Sequence, residues 1–388
     1  MRVPLLDRLR LLVPLLLCAA AVSAYAMPTY HFTDLGALPG GTDSYGVAIN
    51  ASGTVVGQGN INAQGHTRGF VASGGSLQVL PSLGGAYGEA SDINDAGVVV
   101  GSSLGPLGFR PFRTVGNQIQ SLGGFGGNGA AYAINNLNQI VGTSQDIDGY
   151  IHAFRYDANG MVNLDPANRF GSRASDINDS GRIVGSRDHI NNWTSEAVLW
   201  YQGTATVLAS LAVVPDANFG ASAINANNQI VGSSCIGLVY LDCHAVLWSD
   251  PHTILDLGTL GGRSSGAGDI NIFGQIVGSS SFADDPEHLT QSHAFLYQDG
   301  AMHDLNDLLA EVLPEGAYLS SAAGINDAGW ITGTYLPTGQ WGASHAYLLT
   351  PVLDGSVPEP GSAALALIAG AALLASRRQP RRRKMACA

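Results

Sequence analysis

The stretch Ile93-Asn94-Asp95-Ala96-Gly97-Val98-Val99-Val100-Gly101 contains the pattern that decides the fold. After an Ile-Asn pair come two variable residues, then glycine or asparagine, one further residue, two mostly β-branched residues and a final glycine. The pattern occurs seven times, with the asparagines 41–55 residues apart: Asn50, Asn94, Asn135, Asn178, Asn225, Asn271 and Asn326. Recurrence at this period is typical of a repeat architecture, in which each unit is one supersecondary element.

The composition of one repeat predicts four short strands. Only glycine or asparagine stands three residues after the repeated asparagine, and both tolerate positive φ, so a tight turn joins the first two strands. The β-branched pair after the turn, for example Ile183-Val184, suits a buried strand. A third strand is predicted around Ala153-Phe154 and its equivalents, and a fourth in 254–257 and its equivalents. Four strands in about 45 residues match the blade of a β-propeller.

The two ends of the repeat array complement each other. Residues 30–38 are predicted to form a fourth strand without the first three, and residues 320–350 form three strands without a fourth. We therefore predict an all-β fold, a single seven-bladed β-propeller of four-stranded blades, closed by the N-terminal strand completing the C-terminal blade. A parallel β-solenoid is the main alternative, but it uses shorter turns and does not explain the complementary half-blades.

Both terminal segments are predicted to be export and sorting signals that flank the repeat domain, 27–352. Residues 1–26 have the three parts of a secretory signal peptide: basic residues, an apolar run and the cleavage site Ala24-Tyr25-Ala26. Residues 353–388 contain Val357-Pro358-Glu359-Pro360, then a short apolar run and an arginine-rich end. The apolar run of 363–375 is short for a comfortable bilayer span, and the basic end places the tail in the cytoplasm.

The tail resembles the PEP-CTERM sorting signal through Val357, Pro358, Glu359 and Pro360, the apolar helix and the arginine-rich end. The resemblance implies a Gram-negative source, processing by an exosortase after transient anchoring in the inner membrane, and export in step with exopolysaccharide. The repeats resemble the HAF family of extracellular repeats, named for His-Ala-Phe, which stands here as His152-Ala153-Phe154 and His293-Ala294-Phe295. That resemblance implies an extracellular or cell-surface location and a repeat architecture, without an activity.

Charge and cysteine usage agree with export. If cleavage falls after Ala26 and near Val357, the remaining residues 27–357 keep 9 arginines, no lysine and 28 acidic residues, a net charge of 9 − 28 = −19. So acidic a chain is a poor partner for nucleic acid. Cys235 and Cys243 remain in the repeat domain, and an oxidising compartment predicts a disulfide between them; a zinc site is the rival, but two cysteines are too few.

Candidate ligand residues gather in the loops between second and third strands, which vary most in length. They are acidic residues and histidines: Asp146, Asp148, Asp188, His189, Asp242, Asp284, Asp285, Glu287 and His288. Carboxylates at one face of a ring suit a divalent cation such as Ca²⁺, or a glycan stacked on Tyr150 or Trp193. The alternative is solvated loop charge. The repeated Asp-Ile-Asn-Asp, as in 92–95, and the recurring histidines are predicted to be structural.

The sequence favours a non-catalytic surface or extracellular-matrix protein that binds exopolysaccharide or other surface proteins. Residues that recur in every unit usually build the unit, and neither a nucleophile motif nor a four-ligand metal motif is present, so we predict that the chain is not an enzyme and needs no cofactor other than a candidate Ca²⁺. The alternative is a hydrolase or lyase acting on polysaccharide, with Asp284, Asp285 and Glu287 as the acidic residues.

Overall fold

The computed structural model describes residues 27–188, 194–212, 219–236, 242–282, 291–337 and 343–352. They form seven antiparallel sheets of four strands each, numbered β1–β28 in chain order. The first strands of the seven sheets contact one another in sequence around a ring, so they lie at its centre. This is the predicted seven-bladed β-propeller.

Each blade runs from an inner strand to an outer one. The inner strands are β2 (Ser44–Ile49), β6 (Gly88–Ile93), β10 (Gly126–Ile134), β14 (Ser172–Ile177), β18 (Phe219–Ile224), β22 (Gly261–Ile270) and β26 (Tyr318–Ile325). The second strands are β3 (Val55–Asn60), β7 (Val99–Gly105), β11 (Ile140–Asp146), β15 (Ile183–Asp188), β19 (Ile230–Cys235), β23 (Ile276–Phe282) and β27 (Ile331–Leu336). The third strands are β4 (Thr67–Ser73), β8 (Gly108–Val115), β12 (Ile151–Asp157), β16 (Ser195–Tyr201), β20 (Cys243–Asp250), β24 (Ser292–Gln298) and β28 (His345–Pro351).

The outer strands include one from the opposite end of the chain. They are β5 (Ser76–Val79), β9 (Gln118–Ser121), β13 (Gly160–Asn163), β17 (Thr204–Val207), β21 (Thr253–Asp256), β25 (Ala301–Asp304) and β1 (Tyr30–Gly36). Strand β1 pairs antiparallel with β28, from Tyr30 opposite Pro351 to Gly36 opposite Ala346. The prediction that the N-terminal strand completes the C-terminal blade is confirmed. A single turn of 3₁₀ helix (Leu305–Leu308) follows β25, and no helix in the described ranges has the length and apolarity to cross a membrane.

The repeated pattern places each of its residues in a specific role. The third residue after each asparagine has positive φ, from 59° at Asn138 to 80° at Gly53, as the sequence predicted. Each inner strand then contains a β-bulge, as between Ala90 and Asp92. The bulge brings the inner strand so close to the final glycine of the pattern that a Cβ at Gly101 would lie 2.0 Å from the Glu89 carbonyl oxygen. Only glycine fits there.

The core consists of layers between neighbouring blades, because each sheet is covered on one face by the preceding blade and on the other by the following blade. The β-branched pair of each second strand is buried, with Ile183 and Val184 exposed by 2% and 0%. The third strands add large side chains such as Phe154 and Phe295, both fully buried. Burial on both faces explains why these strands read as continuous apolar runs.

The two cysteines of the repeat domain lie opposite each other at the open ends of β19 and β20. Cys235 and Cys243 are paired in register, and their sulfurs form a disulfide. The bond closes the hairpin whose loop, 237–241, lies outside the described residues. In the chain-entropy account, closing a loop this short contributes about 2.5 kcal/mol to the stability of the folded state.

Candidate functional site

A ring of hydrogen bonds joins the seven repeated asparagines at one end of the central channel. The Nδ2 of each asparagine donates to the main-chain oxygen of the next asparagine at 3.0–3.2 Å, and Asn326 donates to Asn50, which closes the circle. The side-chain oxygens mostly accept amides of their own turns; for example, Asn178 accepts from Ser180 and Arg182. We call this circle the asparagine ring. Its residues are buried and structural.

In several blades, the residue after the asparagine forms a second link to the neighbouring blade. The carboxylate of Asp95 accepts the amide of Ala51 in the preceding blade, and Asp179 accepts that of Asn136, both at 2.9 Å. These acids belong to the Asp-Ile-Asn-Asp segments that resemble a calcium loop in outline. Their hydrogen bonds to main-chain amides agree with the structural role that the sequence predicted for them.

Three aspartates stand at the inner-strand bulges of alternate blades. Asp92, Asp176 and Asp269 each accept the amide of the following isoleucine and one amide from the next blade, at 2.7–2.9 Å. Burial raises the pKa of Asp92 and of Asp176 to about 7, and it also raises the pKa of Asp269. Repulsion from nearby carboxylates adds to the rise, from Asp176 and Asp269 at Asp92, from Asp269 at Asp176 and from Asp327 at Asp269. The amide hydrogen bonds oppose it.

We expect the melting temperature to fall as the pH rises from 5 to about 7 and then to level off. A carboxyl group whose folded pKa exceeds its unfolded value stabilises the fold fully below the unfolded pKa, and this contribution is lost as the pH rises through the folded pKa. For Asp92 and Asp176 together, the fall should be about 3–6 °C in a chain of this size. Calorimetry between pH 5 and 8 would measure it. The D92N/D176N double variant, which cannot titrate at these positions, should show less than half the slope; equal slopes would assign the effect to other groups.

The residues predicted to bind a ligand fall into two groups, those outside the described residues and those within them. His189, Asp284, Asp285, Glu287 and His288 lie outside the described residues, as do Trp193 and the sorting motif Val357–Pro360. Among the described ones, the Asp146 carboxylate accepts the amides of Asp148 and Tyr150 and pairs with His152 at 2.9 Å. The hydrogen bond from His152 lowers the pKa of Asp146. Asp146 is therefore fixed within its own loop.

The predicted loop acids that the structure describes do not come together as a metal site. Asp148 lies in the loop after β11 and Asp188 at the end of β15 in the next blade, and both are exposed. Across the six described ranges, no group of three His, Cys, Asp or Glu residues has the arrangement to hold a metal ion. The recurring histidines pair separately with aspartates of their own blades: His152 with Asp146, His244 with Asp256, His293 with Asp304 and His345 with Asp34.

The central channel contains a polar cavity of about 540 Å³. It is lined by inner and second strands of five blades: Val47, Gln58, Glu89, Ala90, Ser91, Tyr132, Arg173, Ser175, Ser186, Gly220, Ala221, Ser222 and Ser233. The size suits a small molecule or a short oligosaccharide. Glycine, alanine and serine on the inner strands leave this space open, and three larger polar side chains project into it.

Those three side chains are Arg173, Tyr132 and Glu89. The Arg173 guanidinium carbon lies 3.7 Å from the centre of the Tyr132 ring, a close cation–π stack. The Tyr132 hydroxyl accepts a hydrogen bond from Thr143 at 3.3 Å, and Glu89 accepts one from Ser102 at 2.9 Å. The cavity thus combines one cation, one carboxylate and an aromatic ring, each with a fixed partner.

Sequence reasoning missed this cavity, although two signals point to it. The residue directly after the final glycine of the pattern has a hydroxyl or amide in every blade: Gln58, Ser102, Thr143, Ser186, Ser233, Ser279 and Thr334. Each pairs with one inner-strand residue: Tyr45, Glu89, Ala130, Arg173, Gly220, Gly266 and Ser321. The first set is constant in chemistry and the second varies from blade to blade. Variation at one repeated position marks residues that do not build the blade.

Comparison with known proteins finds distant structural matches and no sequence match. No protein-family model matches this sequence, and no curated protein matches it. A gluconolactonase from Xanthomonas campestris matches at 12% identity and a TM-score of 0.41, over 83% of this chain and 90% of that one. A protein of unknown function from Dyadobacter fermentans matches at 11% and 0.43, over 82% and 98%. TolB from Acinetobacter baumannii matches at 14% and 0.40, and the match spans 54% of this chain and 52% of TolB.

These matches contradict the prediction that the chain is not an enzyme, because the Xanthomonas protein is a gluconolactonase. We withdraw that prediction. It rested on the argument that repeated residues build the unit, and it overlooked the residues that differ between units and line the channel. At identities of 11–14% and TM-scores of 0.40–0.43, the likeness assigns no activity to this chain.

Proposed function

We propose that this chain is an exported propeller that binds extracellular polysaccharide in its central channel. The observation that carries the proposal is the cavity of about 540 Å³, in which Arg173, Glu89 and Tyr132 stand among serine hydroxyls. Protein sites for sugars combine an aromatic ring with hydrogen-bonding groups, since a sugar has both an apolar face and a rim of hydroxyls. The residues around the cavity supply both.

The predicted address signals support the proposed location. A secretory signal in 1–26 and a PEP-CTERM segment in 353–388 suit a Gram-negative precursor that an exosortase-type enzyme releases to the cell surface. A net charge of 9 − 28 = −19 keeps such a chain soluble outside the cell. Surface proteins are the other class of partner that these signals suit.

Cleavage of the polysaccharide is a second candidate function, favoured by Glu89 in the same cavity. Hydrolysis uses a pair of carboxyl groups, one of them protonated. Asp92 lies on the same inner strand as Glu89, and burial raises its pKa to about 7. One experiment therefore has to score both binding and cleavage.

The test is incubation of residues 27–357 with exopolysaccharide from the source bacterium, scored for co-sedimentation and for new chain ends. The variant S222W fills the cavity from an exposed inner-strand position, and T204W places the same ring on exposed outer strand β17. We expect wild type and T204W to sediment with the polysaccharide and S222W to lose at least 10-fold in affinity. New chain ends would establish cleavage. Equal sedimentation of all three proteins would place binding outside the channel, and no sedimentation would exclude this polysaccharide as the ligand.

A further inference from the structure

We infer that the channel recognises a carboxylate-bearing sugar, such as a uronic acid unit, and that Arg173 anchors its carboxylate. The inference rests on the proposed function and narrows its ligand class. It starts from the position of Arg173, which is the one basic residue among the described residues that line the cavity. The side chain is exposed to the channel, and its cross-strand neighbour, Ser186, is neutral.

Other arginines of the chain have evident structural partners. Arg187 contacts Glu196 and Asp165, Arg263 contacts Asp242, and Arg155 contacts Asp157. Within the described ranges, by contrast, Arg173 forms no ion pair, and its close partner is the face of Tyr132. A guanidinium held flat on an aromatic ring keeps its N–H groups free at the edge. Those groups can bind both oxygens of a carboxylate at once.

The surroundings select a sugar acid over a bare carboxylate. Ser175, Ser186 and Ser222 line the cavity around Arg173, and their hydroxyls can donate to or accept from sugar hydroxyls. Glu89 lies on the wall of the same cavity and can accept hydrogen bonds from a sugar diol. A cation and a carboxylate in one cavity orient a ligand that is acidic at one end and neutral at the other.

The overall charge restricts the ligand further. A chain with a net charge of 9 − 28 = −19 repels a long polyanion at low ionic strength, so a single acidic unit or chain end is favoured over a fully acidic polymer. Binding should therefore be measured near 0.15 M salt, where the Debye length of about 8 Å removes the long-range repulsion and the contact with Arg173 remains.

Calorimetric titration with trigalacturonate and with its methyl ester tests the inference, since the ester has the same sugar units but replaces each charged carboxylate by a neutral, slightly larger group. We expect wild type to bind the acid at least 10-fold more tightly than the ester, and R173Q to bind both with similar affinity. The matched control is R182Q, because Arg182 also stacks on a tyrosine, Tyr201, at 4.2 Å but lies outside the cavity lining. R182Q should keep the preference for the acid. The comparison requires that R173Q unfolds at the temperature of the wild type. If R173Q is misfolded, R173K replaces it; lysine keeps the charge but cannot bind both carboxylate oxygens as a guanidinium does, so its preference for the acid should be weaker than that of the wild type.

Equal affinity of wild type for the acid and the ester, or a preference that survives in R173Q, would overturn the inference. Acetate that competes with trigalacturonate at equal concentration would also overturn it, because a bare carboxylate would then suffice. Failure here leaves the proposed function intact if the protein still sediments with exopolysaccharide in a channel-dependent way. A preference that depends on Arg173, without sedimentation, would support the carboxylate site and reject the polysaccharide.

Discussion

Replacement of Asn178 by alanine should lower the free energy of unfolding by about 3–5 kcal/mol. The Asn178 amide nitrogen donates to the Asn225 carbonyl and to the Asn228 side chain, both at 3.1 Å. Its oxygen accepts from the Ser180 amide and hydroxyl and from the Arg182 amide, at 2.7–3.1 Å. Alanine removes all of these bonds and leaves buried main-chain groups without partners, which is the costly case for a hydrogen bond. The substitution also opens the asparagine ring at one link.

Asn159 supplies the matched control for this substitution. It has an exposed side chain in the turn between β12 and β13, and the structure shows a hydrogen bond only from its main-chain amide, to Asp157. N159A should change the free energy of unfolding by less than about 0.5 kcal/mol. Urea unfolding of both variants gives the comparison. A loss in N178A within 1 kcal/mol of the N159A value would mean that the blades hold together without the asparagine ring.

The fold was predictable because each repeat carries its own local signals. A residue that tolerates positive φ after each Ile-Asn pair, and a β-branched pair after that, define the first two strands without reference to the rest of the chain. The half-blades at 30–38 and 320–350 then define the closure. The sequence did not show that the repeated asparagine hydrogen-bonds to the next blade. Its partner lies in the next blade, 41–55 residues away and at the other end of the chain for Asn326, and spacing alone does not specify such a hydrogen bond.

The candidate site was less predictable, because it depends on departures from the repeat. The residues common to all repeats predict the blades. Arg173 and Tyr132, by contrast, each occur once, at positions where most blades have small or neutral residues. Their meeting across two blades at 3.7 Å is set by the ring geometry and not by any local pattern. The loop acids were predicted to be ligands because of their composition, yet the Asp146 carboxylate accepts main-chain amides of its own loop. A position-by-position comparison of the repeats would have been the better guide to the channel.

Removal of residues 27–36 should abolish cooperative folding, because it deletes the strand that closes the ring. Tyr30 and Leu35 are exposed by only 1% and 9%, and burial of each such side chain contributes about 1.5–3 kcal/mol. The deletion also exposes the edge of β28 and removes the amide hydrogen bond from Phe32 to Glu311. Together these losses amount to about 5 kcal/mol or more, comparable to the whole stability of many domains. An uncovered strand edge in addition promotes aggregation.

The control for this truncation is a chain that begins at Thr29, which keeps all of β1 and the hydrogen bond from Val352 to the Thr29 carbonyl. It should unfold at the temperature of the intact chain, while the chain that begins at Ala37 should elute as aggregate or show no sharp transition. Addition of a synthetic peptide of residues 27–38 to the chain that begins at Ala37 tests closure directly. If closure is what the deleted strand supplies, the peptide should restore a sharp transition by pairing with β28. A truncated chain that unfolds as sharply and as late as the control would show that six complete blades and three strands suffice, and that the N-terminal strand is dispensable for the ring.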